Sequence, residues 1–133
     1  MRRSTILTSG LLGLALVVGA TLRTVSPMQT EARTSRYLRV SVARWNINTY
    51  SPEAERIFQQ IATEGVAVFR AQPGFVRYRL MRADSSTTVA VAEWESRELG
   101  QTGAEQYRAW MRRMGIMDRF TLETRAGDIV AGS

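Results

Sequence analysis

The sequence predicts an α+β fold of the ferredoxin-like type, a four-stranded antiparallel sheet in the order β-α-β-β-α-β. Three observations carry that prediction. Four segments between Tyr37 and Arg125 alternate apolar and polar residues with a period of two. Two further segments repeat their apolar residues at helical spacing. Ser-Pro, Pro-Gly, Asp-Ser-Ser and Gly punctuate the six segments in that order.

Tyr37–Ile47 reads as the first strand, with Leu38, Val40 and Val42 on one face and Arg39, Ser41 and Ala43 on the other. Ser51-Pro52-Glu53 starts a helix: the serine caps it, the proline suits the first helical position, and the acid faces the positive end of the dipole. Ile57, Phe58, Ile61, Gly65, Val68 and Phe69 share one face of that helix, and Pro73-Gly74 stops it. Phe75–Arg82 is a second strand, with Val76, Tyr78 and Leu80 together. It forms a hairpin with Thr87–Glu95 across Asp84-Ser85-Ser86. A second helix is predicted over Thr102–Met114, aligning Ala104, Tyr107, Met111 and Met114, with Gly115 as its stop. Met117–Arg125 supplies the last strand through Phe120 and Leu122.

Two helices cover one face of such a sheet, so the other face needs its own cover. By parity that second face carries Val89, Val91 and Ala43 mixed with Arg39, Arg77, Arg79 and Glu93. A second subunit is the expected cover. Glu93 and Glu95 share a strand face, and with Arg77 and Arg79 on the next strand they suggest an ion-pair ladder more than an acid–base pair.

Composition excludes several chemistries. The 133 residues contain 18 arginines and no lysine, histidine or cysteine. A Ser-His-Asp triad, a His-ligated metal, a thiolate zinc site and a disulfide framework are therefore all ruled out, and no metal site is expected. The net charge of +6 sits mostly at the N-terminus, because 13 arginines face 11 acids after residue 36. A nearly neutral domain with no basic helix gives no reason to expect a nucleic-acid partner.

Arg2-Arg3 precedes nineteen uncharged residues, Ser4 to Leu22, and Val18-Gly19-Ala20 offers small residues for cleavage. Residues 1–22 are expected to be a signal peptide or an N-terminal membrane anchor, 23–36 a flexible linker, and 37–133 the domain. The domain is then exported, periplasmic or secreted, and meets a membrane only if the leader stays uncleaved.

Pro73-Gly74-Phe75, the run Tyr78-Arg79-Leu80-Met81-Arg82 and the later Glu93-Trp94-Glu95-Ser96 resemble the antibiotic biosynthesis monooxygenase family of dimeric α+β barrel proteins, over about residues 37–126. The resemblance implies a ferredoxin-like protomer, a homodimer joined through the sheets and a cleft between helices and sheet. Its members include cofactor-free monooxygenases of phenolic compounds and haem-degrading enzymes. The haem-degrading branch uses an Asn, a Trp and a His. Asn46 falls on the first position, Gly103 on the second, and the chain has no histidine. Tyr or Met can ligate iron, and Tyr107, Met111 and Met114 lie on the inward face of the second helix, so haem ranks last without being excluded.

Cofactor-free oxygenation needs an electron-rich phenol held in a dry pocket, with donors for the developing oxyanion. On strand parity, Asn46 and Arg44 share the face of Leu38, Val40 and Val42 and are expected to orient the substrate. Trp94 shares a face with Thr88, Ala90 and Ala92, whose small alanines leave room beside it. Tyr107, Trp110 and Met111 are expected to roof the space. Each residue also has a plainer reading. Trp94 can be packing at a strand end, Asn46 a turn residue, Arg44 a solvated strand end, and Tyr107 with Met111 core. The expectation is a cofactor-independent monooxygenase for a small aromatic or phenolic compound. A non-enzymatic ligand-binding dimer is the alternative, and haem binding comes third.

Overall fold

The computed structural model describes residues 36–133. The expected leader, and the expected linker up to residue 35, lie outside the described residues. The elements are β1 Tyr37–Trp45, α1 Pro52–Gln60, a π-helical segment Ile61–Gly65, α2 Val66–Arg70, β2 Phe75–Asp84, β3 Thr87–Trp94, α3 Arg97–Arg113, a 3-10 turn Met117–Arg119 and β4 Phe120–Asp128. The sheet order is β2-β3-β1-β4, with every neighbouring pair antiparallel. This is the ferredoxin-like α+β arrangement.

The first helix begins as its sequence dictates. The Ser51 hydroxyl accepts from the Ala54 N–H at 3.2 Å, and Pro52 occupies the first turn. Gly74 adopts φ +74° after α2, a conformation that favours glycine. The second helix starts five residues before the expected Thr102. Ser96 is the true cap, accepting from Leu99 N–H at 3.3 Å. Two glycines inside the first turns, Gly100 and Gly103, obscured that start, because glycine weakens a helix by about 1 kcal/mol against alanine. Tertiary packing explains both. A Cβ at Gly103 would stand 2.6 Å from Trp94 Nε1, and one at Gly100 would collide with the Tyr37 ring. The last strand also starts later than expected, at Phe120, because Met117–Arg119 forms the 3-10 turn.

The structure reverses the expected faces of β1. Tyr37 pairs with Trp94, Arg39 with Ala92, Ser41 with Ala90 and Ala43 with Thr88, so these residues share the helix-covered side. Tyr37, Ala43 and Trp45 are buried there. Leu38, Val40 and Val42 point to the outer face, beside Val89 and Val91 of β3. Alternation shows that two faces exist, and register against β3 decides which one the helices cover. In β2 the register slips between Phe75 and Arg77, which brings Phe75, Tyr78 and Leu80 to the helix side.

The outer face is therefore more aliphatic than parity suggested, since Ala43 and Arg39 leave it. Its five aliphatic side chains are half-buried in the single chain. Arg77 faces Glu93 across the strands with Nε 3.1 Å from Oε2, while Arg36 approaches the same oxygen at 3.9 Å. Arg77–Glu93 is the rung of the expected ladder that forms, whereas Glu95 and Arg79 are exposed and make no ion pair among the described residues.

Candidate active site

The helix-covered side of the sheet carries small residues where two central strands meet. Ser41 and Ala43 of β1 lie against Ala90 and Ala92 of β3. Helix α3 crosses above them and presents Ala104, Tyr107 and Met111. The gap left between large roof and small floor is a cavity of about 90 Å³. Trp45, Phe69, Tyr78 and Trp94 wall it, and Trp94 is completely buried.

Aromatic stacking fixes these walls. The Phe69 ring lies 4.1 Å from Tyr107 and 4.6 Å from Tyr78, centroid to centroid and nearly parallel. Trp45 packs on Phe58 and Phe120 at 5.5 and 4.9 Å, and its indole N–H donates to Thr88 Oγ1 at 2.9 Å. The Trp94 indole N–H has no acceptor among the described residues. Such an orphaned buried donor costs about 1–3 kcal/mol.

The cavity's inner end is apolar and its rim is polar. Trp45, Trp94, Phe69 and Met111 are buried. Arg39, Ser41 and Arg108 line the same space but are only half-buried, and Leu122 is 41% exposed. Ser41 Oγ and Thr124 Oγ1 share a hydrogen bond of 3.0 Å beside this rim. Among the described residues no Asp or Glu lines the cavity.

The two phenols in the wall are acids weaker than usual. Burial pushes Tyr78 up, and hydrogen bonding with Tyr107 brings it partly back. Tyr107 is pushed far above the ordinary tyrosine range, by burial first, then by the charge and hydrogen bonding of Tyr78. At neutral pH both hydroxyls are protonated and neither is a base.

The structure brings together Trp94, Ala90, Ala92, Tyr107 and Met111, which all line the cavity. Trp110 stands behind Tyr107, 5.4 Å away, against Gly65. Arg44 and Asn46 are exposed and do not line the cavity, which follows from the reversed faces of β1. Asn46 instead donates from Nδ2 to the Asp118 carbonyl at 2.8 Å and ties the strand end to the 3-10 turn. The arginines at the cavity are Arg39 and Arg108. Arg39 was assigned to the outer face with its strand parity. Arg108 lies at helical spacing from Ala104 and Met111, a pattern that marks it in the sequence once α3 is known to face the sheet.

Haem does not fit these residues. The space at position 103, where the haem-degrading pattern needs Trp, is filled by the Trp94 indole. The cavity, at about 90 Å³, is far smaller than a macrocycle. Among the described residues no three His, Cys, Asp or Glu side chains cluster as a metal site.

The profile of the family described as antibiotic biosynthesis monooxygenase matches residues 43–113. Among curated proteins no sequence matches the chain. Solved structures share the fold at low identity. SnoaB, a cofactor-independent oxygenase from Streptomyces nogalater, is 18% identical over 74% of this chain and 96% of its own, with a TM-score of 0.58. HapK from Hahella chejuensis is 13% identical over 73% and 95%, with a TM-score of 0.59. A dimeric ferredoxin-like protein from an uncultured marine organism is 14% identical over 74% and 98%, with a TM-score of 0.57. The matched segment runs from the cavity floor on β1 to the end of α3, and on that match the chain belongs to the antibiotic biosynthesis monooxygenase family.

Proposed function

We propose that this protein is a cofactor-independent monooxygenase acting on a small aromatic or phenolic compound. The observation that carries the reading is an apolar cavity walled by stacked aromatics, whose polar wall groups are hydrogen-bond donors. Such a site suits a substrate that supplies its own electrons. The bound phenol or dihydroquinone tautomer ionises by its own acidity and gives its proton to water at the rim. Donors in the wall hold the oxyanion that results. The anion passes one electron to O₂, and the radical pair closes to a peroxide on the ring carbon. Loss of water from the peroxide leaves a carbonyl. For a ring CH₂ becoming C=O, one oxygen atom enters the product and the other leaves as water, so O₂ is the sole oxidant needed. SnoaB, which shares the fold, is described as a cofactor-independent oxygenase.

Oxygen uptake by the metal-free protein with a panel of hydroquinones and anthrone-type substrates tests this reading. We expect one O₂ consumed for each ring CH₂ converted to C=O, with one atom of labelled O₂ in the product and no hydrogen peroxide released. Saturable binding of the same compounds without oxygen consumption would establish the ligand-binding alternative instead.

The same reading includes a homodimer outside the cytoplasm. The half-buried aliphatic face of Leu38, Val40, Val42, Val89 and Val91, with Met81 54% exposed at its edge, supports the dimer. The basic-then-apolar leader supports export. Native mass spectrometry of protein recovered from its host should give a dimer in the cell envelope or medium. A monomer contradicts the first point, and a cytoplasmic chain with an intact N-terminus contradicts the second.

A further inference from the structure

Four arginines among the described residues are half-buried: Arg39, Arg82, Arg108 and Arg119. Two of them have carboxylate partners. Arg82 is paired with Glu55, and Arg119 Nε lies 2.8 Å from Glu53 Oε1. The other two, Arg39 and Arg108, form no salt bridge among the described residues, and both line the cavity. They come from different elements, the central strand β1 and helix α3, so local sequence does not force them together. A guanidinium partly withdrawn from water without an acceptor is unfavourable, and an arriving oxyanion removes that cost. Among the described residues no acidic side chain lines the cavity to compete for them.

The apolar end and the arginine rim describe one ligand. We infer that the substrate of the oxygenase-type cavity is an aromatic carboxylate, with its ring among Trp45, Phe69 and Trp94 and its carboxylate against Arg39 and Arg108. A carboxylate matches the planar guanidinium fork with two parallel hydrogen bonds. The Ser41 hydroxyl, half-buried at the same rim, adds a further donor. The lining divides into a buried apolar end and a half-buried polar rim, and that division places the charged end of the ligand at the rim. This inference rests on the cavity being the substrate site, as proposed above, and it adds the charge that the substrate must carry.

Calorimetric titration of the full chain with 2-naphthoate and with its neutral isostere 2-naphthamide tests it without requiring turnover. The acid is expected to bind at least about tenfold tighter than the amide at low salt, the scale of one charge-assisted hydrogen bond. The preference should shrink as ionic strength rises. In the Arg39→Gln/Arg108→Gln double variant the acid should lose its preference over the amide. Equal affinities in the wild type overturn the inference, with no variant needed, and leave the aromatic cavity standing. A preference that survives in the folded double variant overturns it as well, by placing the charge recognition elsewhere. Binding of neither compound removes the cavity reading together with the inference.

Discussion

Trp94→Ala is expected to lower the unfolding free energy by about 3–5 kcal/mol, the range for removing a buried large aromatic. That is a large share of the roughly 5–15 kcal/mol that holds a domain of this size folded. The indole is fully buried and touches α2, β2 and α3. It contacts Phe69 and Phe75 at centroid distances of 5.7 and 6.1 Å and fills the space opposite Gly103. Truncation leaves a void that α3 cannot close, because its own glycines offer no side chain to fill it. Trp94→Phe should cost much less, since it keeps most of the ring contact and deletes an indole N–H that has no acceptor. Urea denaturation of the three proteins checks this order. A loss below about 1 kcal/mol for the alanine variant would show that the helix and sheet hold together without this contact.

Tyr107→Phe is expected to reduce kcat by about 10²–10³-fold, the cost of one oxyanion-hole donor, while KM changes little. Phenylalanine keeps the ring stacked on Phe69 at the cavity wall and removes only the hydroxyl. A drop in kcat with stability near wild type separates the donor role from packing. An unchanged kcat would return Tyr107 to the core. The wild-type rate should show no tyrosine ionisation near pH 10, because burial holds both wall phenols above their ordinary value. Stability carries the matching signature. Both folded-state pKa values are raised, so above about pH 10 the unfolded chain releases protons that the folded chain retains. Their contribution is complete below that pH and is lost as pH rises through the tyrosine range. Stability in Tyr107→Phe should fall less steeply there, which denaturation at pH 9 and pH 11 measures.

The order of elements was legible because each is signalled locally. Ser51-Pro52 announces a helix by satisfying its first N–H groups, and Pro73-Gly74 ends it by chain geometry. The start of α3 was hidden for the opposite reason. Gly100 and Gly103 argue against helix on intrinsic propensity, and their justification lies in Tyr37 and Trp94, remote in sequence. The cavity was legible in part. Ala90 and Ala92 beside Trp94 share a strand face by period, and Tyr107 and Met111 share a helix face, so those five residues could be grouped from the chain alone. Arg44 and Asn46 were grouped with them through the larger aliphatic residues of β1. The core of that strand is instead made by the aromatics at its two ends, Tyr37 and Trp45.

The sequence by itself determined the ferredoxin-like order of strands and helices, because periodicity, caps and turn residues act over a few positions. It also ruled out histidine and cysteine chemistry, which composition alone decides. Only the tertiary structure decided which face of β1 meets the helices, since a period of two is unchanged when the strand is turned over. That choice put Arg39 at the cavity and Arg44 outside it. The charge available to a substrate therefore follows from pairing between strands more than forty residues apart along the chain, which no local pattern encodes.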